Sequence, residues 1–161
     1  MEKAGTASTK GRASKVRAIT VPAAVGVLLF AANSLLLGLL SASNPLIAQL
    51  IYGRGSWWLD ESLIVKAAYV GVIAPFAEEL LFRRLLFNHF IRRGKANFGL
   101  ALSSIMFGLW HTLFGWGILK ALDMAIVGLV FGLAYKKWGF KGALLSHYAN
   151  NIAAVLAMAA A

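Results

Sequence analysis

Six ionisable or amide-bearing residues interrupt apolar sequence at one-turn spacings: Glu78, Glu79 and Arg83, then His111 after Phe107, then His147 and Asn151. A charged side chain at the centre of a spanning helix costs about 2.5–3.5 kcal/mol on insertion scales, so such groups face one another or water rather than acyl chains. Glu79 and Arg83, four residues apart, share a helix face and can pair. Glu78 lies about 100° from Glu79 around the helix. That leaves Glu78 without a cation of its own, as a carboxylate suited to general-base work. Pro75 removes a backbone N–H one turn earlier, so the helix is expected to kink or open there. His111 and His147 can each donate or accept a proton, whereas the Asn151 amide donates hydrogen bonds without titrating.

The elements that must hold these groups are helices. The chain has 161 residues, of which 60% are apolar and 14% charged, against about 25% charged in a soluble domain. The fold class expected is all-α, a polytopic membrane helix bundle of about five transmembrane helices. Residues 1–17 are basic and are expected to form a disordered cytosolic tail, with residues 18–161 as one transmembrane domain. The apolar run from Ala18 to about Leu40 is longer than the ~7–15 residues of a signal peptide core, so it reads as a retained helix. Residues 43–61, with Trp57 and Trp58, read as a loop at the far interface. Further helices are expected over 62–93, 97–117, 119–135 and from 142 to the end.

Lys and Arg cluster before the first helix, between the second and third (Arg92, Arg93, Lys95), and between the last two (Lys136, Lys137, Lys141). The positive-inside bias then puts the N-terminus in the cytosol and the C-terminus outside. Counted from those basic ends at about 1.5 Å per residue, Glu78, Glu79 and His111 lie about 20 Å along their helices, and His147 and Asn151 about 10–16 Å. Three helices can thus present them at one level, read here as the cytosolic half of a cell-membrane protein. The same distribution accounts for the net charge of +10 and leaves no basic face with interleaved aromatics for a nucleic acid. Without cysteine, neither a disulfide nor a thiolate metal site can form. Gly128 and Gly132 make a G-x-x-x-G that carries packing information. His89, among Asn88, Arg92 and Arg93, reads as interfacial, and Trp110 and Trp116 as packing residues.

Read together, Glu78-Glu79-x-x-x-Arg83, Phe107-x-x-x-His111 and His147-x-x-x-Asn151 resemble the signature of the CAAX protease and bacteriocin-processing (CPBP, Abi) family of intramembrane proteases. The resemblance covers a core of about residues 62–155. It implies a glutamate-dependent endopeptidase in which Glu78 is the general base and His111 positions or activates the attacking water. His147 and Asn151 would hydrogen-bond the developing oxyanion, and Glu79 with Arg83 would be the supporting ion pair. The implied substrate is a membrane-associated protein or peptide, with prenylated CAAX-type chains among the candidates.

No cofactor is required by that chemistry. A divalent metal such as zinc is the alternative, with Glu78, His111 and His147 as a permissible ligand set. Two other functions fit the same residues. One is a non-catalytic bacteriocin-immunity or interaction protein on this fold. The other is a proton- or ion-coupled transport element, because intramembrane Glu and His can relay protons. The expected partners are membrane lipid and a peptide or protein substrate.

Overall fold

The computed structural model describes residues 3–160, with side chains from Ser14 onward, and every regular element among them is helical. Helix α1 is Lys3–Ser43. It begins well before the apolar run, so the backbone of the expected tail is helical from Lys3, while Met1 and Glu2 lie outside the described residues. The leader has no proline before Pro22 and is rich in Ala, Lys and Arg, which favour helix.

The segment expected as a loop contains a short helix, α2 (Pro45–Tyr52). Its signals are local. The Asn44 side chain accepts from the N–H of Leu46 at 2.8 Å, Pro45 fills the first turn where no N–H is needed, and Gly53 at φ 58° ends the helix. After a 3₁₀ turn at Trp57–Asp60, helix α3 runs over residues 63–91, started by Ser62, whose hydroxyl accepts from the N–H of Val65. Helix α4 is Ala96–Thr112. Helices α5 (residues 118–138) and α6 (residues 140–160) are separated by Gly139 at φ 68°, a left-handed conformation that glycine adopts without strain.

Helix α3 is wound unevenly. It is α-helical at Leu63–Ala68, Ala74–Glu78 and Asn88–Ile91, and π-helical at Tyr69–Ile73 and Glu79–Phe87. Both wide segments adjoin functional candidates, as π turns frequently do.

Lipid tails are as apolar as leucine, so helices in a bilayer associate through close packing and polar contacts rather than by leaving water. Both are present here. A Cβ on Gly108 would collide with α5 at Ala121 and Ala125, and one on Gly26 would collide with the backbone of Ser146 on α6. At that crossing the buried Ser146 hydroxyl donates to the carbonyl of Pro22 at 2.8 Å, tying α1 to the residue next to His147. The core consists of Phe82, Phe107, Met124, Val127 and Phe131, with a second cluster around Phe87, Leu100 and Tyr135. Outward-facing residues are strongly apolar, including Leu28, Leu39, Ile64, Ile126 and Leu156, all more than half exposed. An apolar belt of this extent suits a lipid environment. Two stretches, Ser14–Ser43 and Ile118–Ala160, are long and apolar enough to cross a membrane, the second comprising α5 and α6.

At one end of the bundle two loops are clasped. The N–H of Arg54 donates to Gly115 at 2.9 Å, that of Gly117 donates to Ile51 at 3.0 Å, and the Ser56 hydroxyl donates to Phe114 at 3.0 Å. Gly53 and Gly115 both have positive φ and leave no room for a Cβ where these strands of loop meet.

Candidate active site

Glu79 and Arg83 are wholly buried, one turn apart on α3. Arg83 Nε lies 3.4 Å from Glu79 Oε2, an ion pair rather than a hydrogen bond, and its Nη2 donates to the carbonyl of Gly128 at 2.7 Å. The guanidinium sits over the Phe107 ring at 4.5 Å, so the cation is held by a carboxylate, a carbonyl and an aromatic face together. Gly128 makes this possible, because a Cβ there would meet Phe107 at 3.0 Å and Arg83 at 3.3 Å. The glycine therefore does more than pack two helices.

His147 connects this buried pair to Glu78. Its Nδ1–H donates to Glu79 Oε1 at 2.9 Å, and its Nε2 lies 3.5 Å from Glu78 Oε2. The ring stacks on Phe131 at 4.3 Å and meets the edge of Phe107 at 5.7 Å, which fixes its plane. His111, on the last turn of α4, donates from Nδ1 to the carbonyl of Phe107 at 2.8 Å. That bond leaves Nε2 as the nitrogen available to a reacting group.

Asn151 is placed by the first π segment. The N–H of Ala74 reaches back five residues to Tyr69, and the next donor in that pattern would be Pro75, which has none. The carbonyl of Val70 is thereby freed, and Asn151 Nδ2 donates to it at 2.9 Å across the helix interface. Asn150 Nδ2 donates to Asn151 Oδ1 at 3.0 Å, so the amide orientation is set from both ends. The second hydrogen of Asn151 Nδ2 remains for a ligand.

Glu78, His111, His147 and Asn151 line one cavity of about 230 Å³. Glu79 and Arg83 stand behind it. At about 30 Å³ of liquid volume per water, the cavity has room for several waters and part of a peptide. Its other polar residues were not singled out in the sequence reading. Asn33 and Ser34 enter from α1, Tyr69 from α3, Lys120 from α5 and Asn150 from α6. Asn33-Ser34 could have been noticed as a polar pair inside an apolar run. Trp116, expected only to pack, tilts against Trp58 at 6.1 Å and also lines the cavity. Trp110 packs edge-on against Phe82 at 6.0 Å and borders a separate apolar groove between α3 and α4. His89 is hydrogen-bonded to Arg93, away from the cavity.

The cavity does not lie toward the basic ends of the helices. Its lining includes Ser56, Trp58, Phe114 and Trp116, from the clasped loops at the opposite end. The reason is length: α4 ends at Thr112, so His111 stands one residue from the helix terminus farthest from Lys95.

The alternative set of Glu78, His111 and His147 is not grouped as a metal site among the described residues. Both Nδ1 atoms donate to protein acceptors, to Phe107 and to Glu79, which leaves each Nε2 as the nitrogen that would meet a ligand.

Fold and site define a helical membrane protein whose interior brings the Glu78 carboxylate, two imidazoles and the Asn151 amide around one cavity, with the Glu79–Arg83 pair behind it. Residues 60–153, more than half of the chain, match the family model for Type II CAAX prenyl endopeptidase Rce1-like proteins, and the chain belongs to that family of membrane proteases. No curated protein and no solved structure matches the chain.

Proposed function

We propose that the protein is a multi-pass intramembrane endopeptidase that hydrolyses a peptide bond of a membrane-anchored protein or peptide, with Glu78 as general base. The supporting observation is that Glu78 lines the same cavity as His111, His147 and Asn151 while Glu79, its neighbour in sequence, is buried behind it, paired with Arg83 and accepting from His147.

In this reading a water held between Glu78 and His111 Nε2 attacks the scissile carbonyl carbon. Glu78 takes the water proton as the new C–O bond forms, and the carbonyl π electrons move to oxygen. Asn151 Nδ2 and His147 Nε2 donate to that oxyanion; for His147 this requires the protonated ring, because Nδ1 already donates to Glu79. A protonated His147 with Arg83 balances Glu78 and Glu79, two charges of each sign. Collapse of the tetrahedral species breaks the C–N bond, and Glu78 returns its proton to the departing amine. A metal has no part in these steps.

The basic clusters set the orientation, with the N-terminus cytosolic. The loop end of the cavity then lies toward the membrane face away from those clusters. The test is cleavage of a lipidated peptide in detergent by wild type and Glu78→Gln. Loss of hydrolysis at unchanged thermal stability is expected. Equal rates would remove Glu78 from the chemistry and the proposal with it.

A further inference from the structure

A second concavity lies outside the candidate active site. Between α3 and α4 a groove of about 800 Å³ opens on the outer surface of the bundle, lined by neither Glu78 nor the two site histidines. Leu81, Leu85, Met106 and Leu109 form its sides and are 41–59% exposed, while Phe82 and Trp110 pack edge-on at 6.0 Å. Besides the Trp110 indole, only His89 and Thr112 bring polar side chains to the lining, and the Thr112 hydroxyl is spent on the Leu109 carbonyl at 2.8 Å. In a bilayer a recess of this kind takes hydrocarbon.

One end of the groove is basic. Beyond His89 and Phe90 stand Arg92, Arg93 and Lys95, all exposed. Among the described residues none of the three is paired with a carboxylate. Asp60 and Glu61 belong to the far loop, Glu78 and Glu79 to the active site, and Asp123 to Lys120. Arg93 Nη1 donates to His89 Nε2, so the neutral ring carries its proton on Nδ1, a donor with no partner among the described residues.

We infer that the groove binds an anionic phospholipid, with one acyl chain lying between α3 and α4 and the phosphate held by His89, Arg93 and the cations beside them. Charge selects this occupant, because an unpaired basic cluster at a membrane surface attracts anionic headgroups. A prenyl chain carried on a peptide would fill the groove but bring no phosphate to its basic end. Length agrees. Leu81 and Phe90 are nine residues apart, at most about 13 Å along α3, close to one leaflet of a ~30 Å hydrocarbon core. The site stands apart from the proposed hydrolysis and does not depend on it.

The experiment uses the full chain in detergent and two probes with identical brominated acyl chains, phosphatidylglycerol and phosphatidylcholine. Bromine quenches an indole that it touches, and subtracting the signal of Trp110→Phe from that of wild type isolates the tryptophan in the groove. Phosphatidylglycerol is expected to quench Trp110 at a concentration about ten-fold lower than phosphatidylcholine. The double variant His89→Gln with Arg93→Gln, which changes only exposed residues, is expected to bring the two lipids within about two-fold of each other. Unchanged quenching by phosphatidylcholine shows that this variant remains folded. Equal quenching by the two lipids in wild type would overturn the inference, as would a preference that survives in the double variant. Displacement of brominated phosphatidylglycerol from Trp110 by an equimolar farnesylated peptide would assign the groove to the peptide's lipid and overturn it as well.

Discussion

Replacing Arg83 by Met removes the cation from a carboxylate that has no access to solvent. Glu79 is fully buried, and the Arg83 guanidinium is the cation paired with it on its own helix. Methionine fills much of the same volume, so the cost is electrostatic rather than a cavity. Removing one member of a buried ion pair costs about 3–5 kcal/mol, because the remaining charge is left uncompensated. For a chain of this size about 1 kcal/mol moves the melting midpoint by roughly 2–4 °C, giving a fall of about 6–20 °C. The companion variant, Glu79→Gln with Arg83→Met, removes both charges, and the glutamine oxygen can still accept from His147 Nδ1. It should recover at least half of the loss. Thermal unfolding of the two single variants and the double variant in one detergent gives the coupling, expected above about 2 kcal/mol for a contacting buried pair. A midpoint for Arg83→Met within ~2 °C of wild type would refute the assignment of Arg83 as the compensating charge. So would a double variant no more stable than the weaker single.

Asn151→Ala removes both a donor to the proposed oxyanion and the partner of the Val70 carbonyl. Turnover should fall about 10²–10³-fold, with about 1–3 kcal/mol lost in thermal unfolding for the stranded acceptor. Pro75→Ala supplies an N–H that competes with Asn151 for the carbonyls of the first π segment. The expected result is a stability equal to or above wild type, since Ala exceeds Pro in helix by about 3 kcal/mol, together with reduced turnover; full activity would show that the freed carbonyl is not needed. Gly26→Val should push α1 away from Ser146 and lower the melting midpoint without changing the identity of the cleaved bond, checked by mass spectrometry of the product. The absence of cysteine allows single-cysteine mapping. Arg54→Cys should react with a membrane-impermeant maleimide in intact cells and Arg93→Cys only after permeabilisation, and the reverse pattern would invert the proposed orientation.

The sequence made the polar residues legible because a membrane helix gives each of them a high cost and hence a meaning. Glu78, Glu79, Arg83, His111, His147 and Asn151 all stood out against apolar surroundings, and the structure gathers them around or behind one cavity. The long helices followed from the apolar runs in the same way. Pairings across the bundle were not legible. Nothing local connects His147 with Glu79, 68 residues away, or Asn151 with Val70, 81 residues away. Pro75 signalled a disturbed helix but not its form, because α and π winding place apolar residues on similar faces over a single turn. Helix α2 was missed although Asn44-Pro45 is a recognisable helix start, since the glycines and tryptophans that follow drew the whole segment toward a loop. Lys120 passed unnoticed because one lysine near a helix end resembles an interfacial anchor until the opposing walls are known.

The two wide segments of α3 have a consequence for how this helix can change by insertion and deletion. A π turn is equivalent to one extra residue in an α-helix. Excising a single residue between 69 and 73 would restore regular winding and improve local hydrogen bonding. The segments on either side would keep their azimuth, because the π turn absorbs its extra residue locally, whereas the same deletion from the α-helical stretch Ala74–Glu78 would turn Tyr69 by about 100° relative to Glu78. Length in this helix is therefore constrained by azimuth: a residue lost from a wide segment is absorbed by its winding, and one lost from the stretch between Tyr69 and Glu78 that is regularly wound takes the two off the same wall.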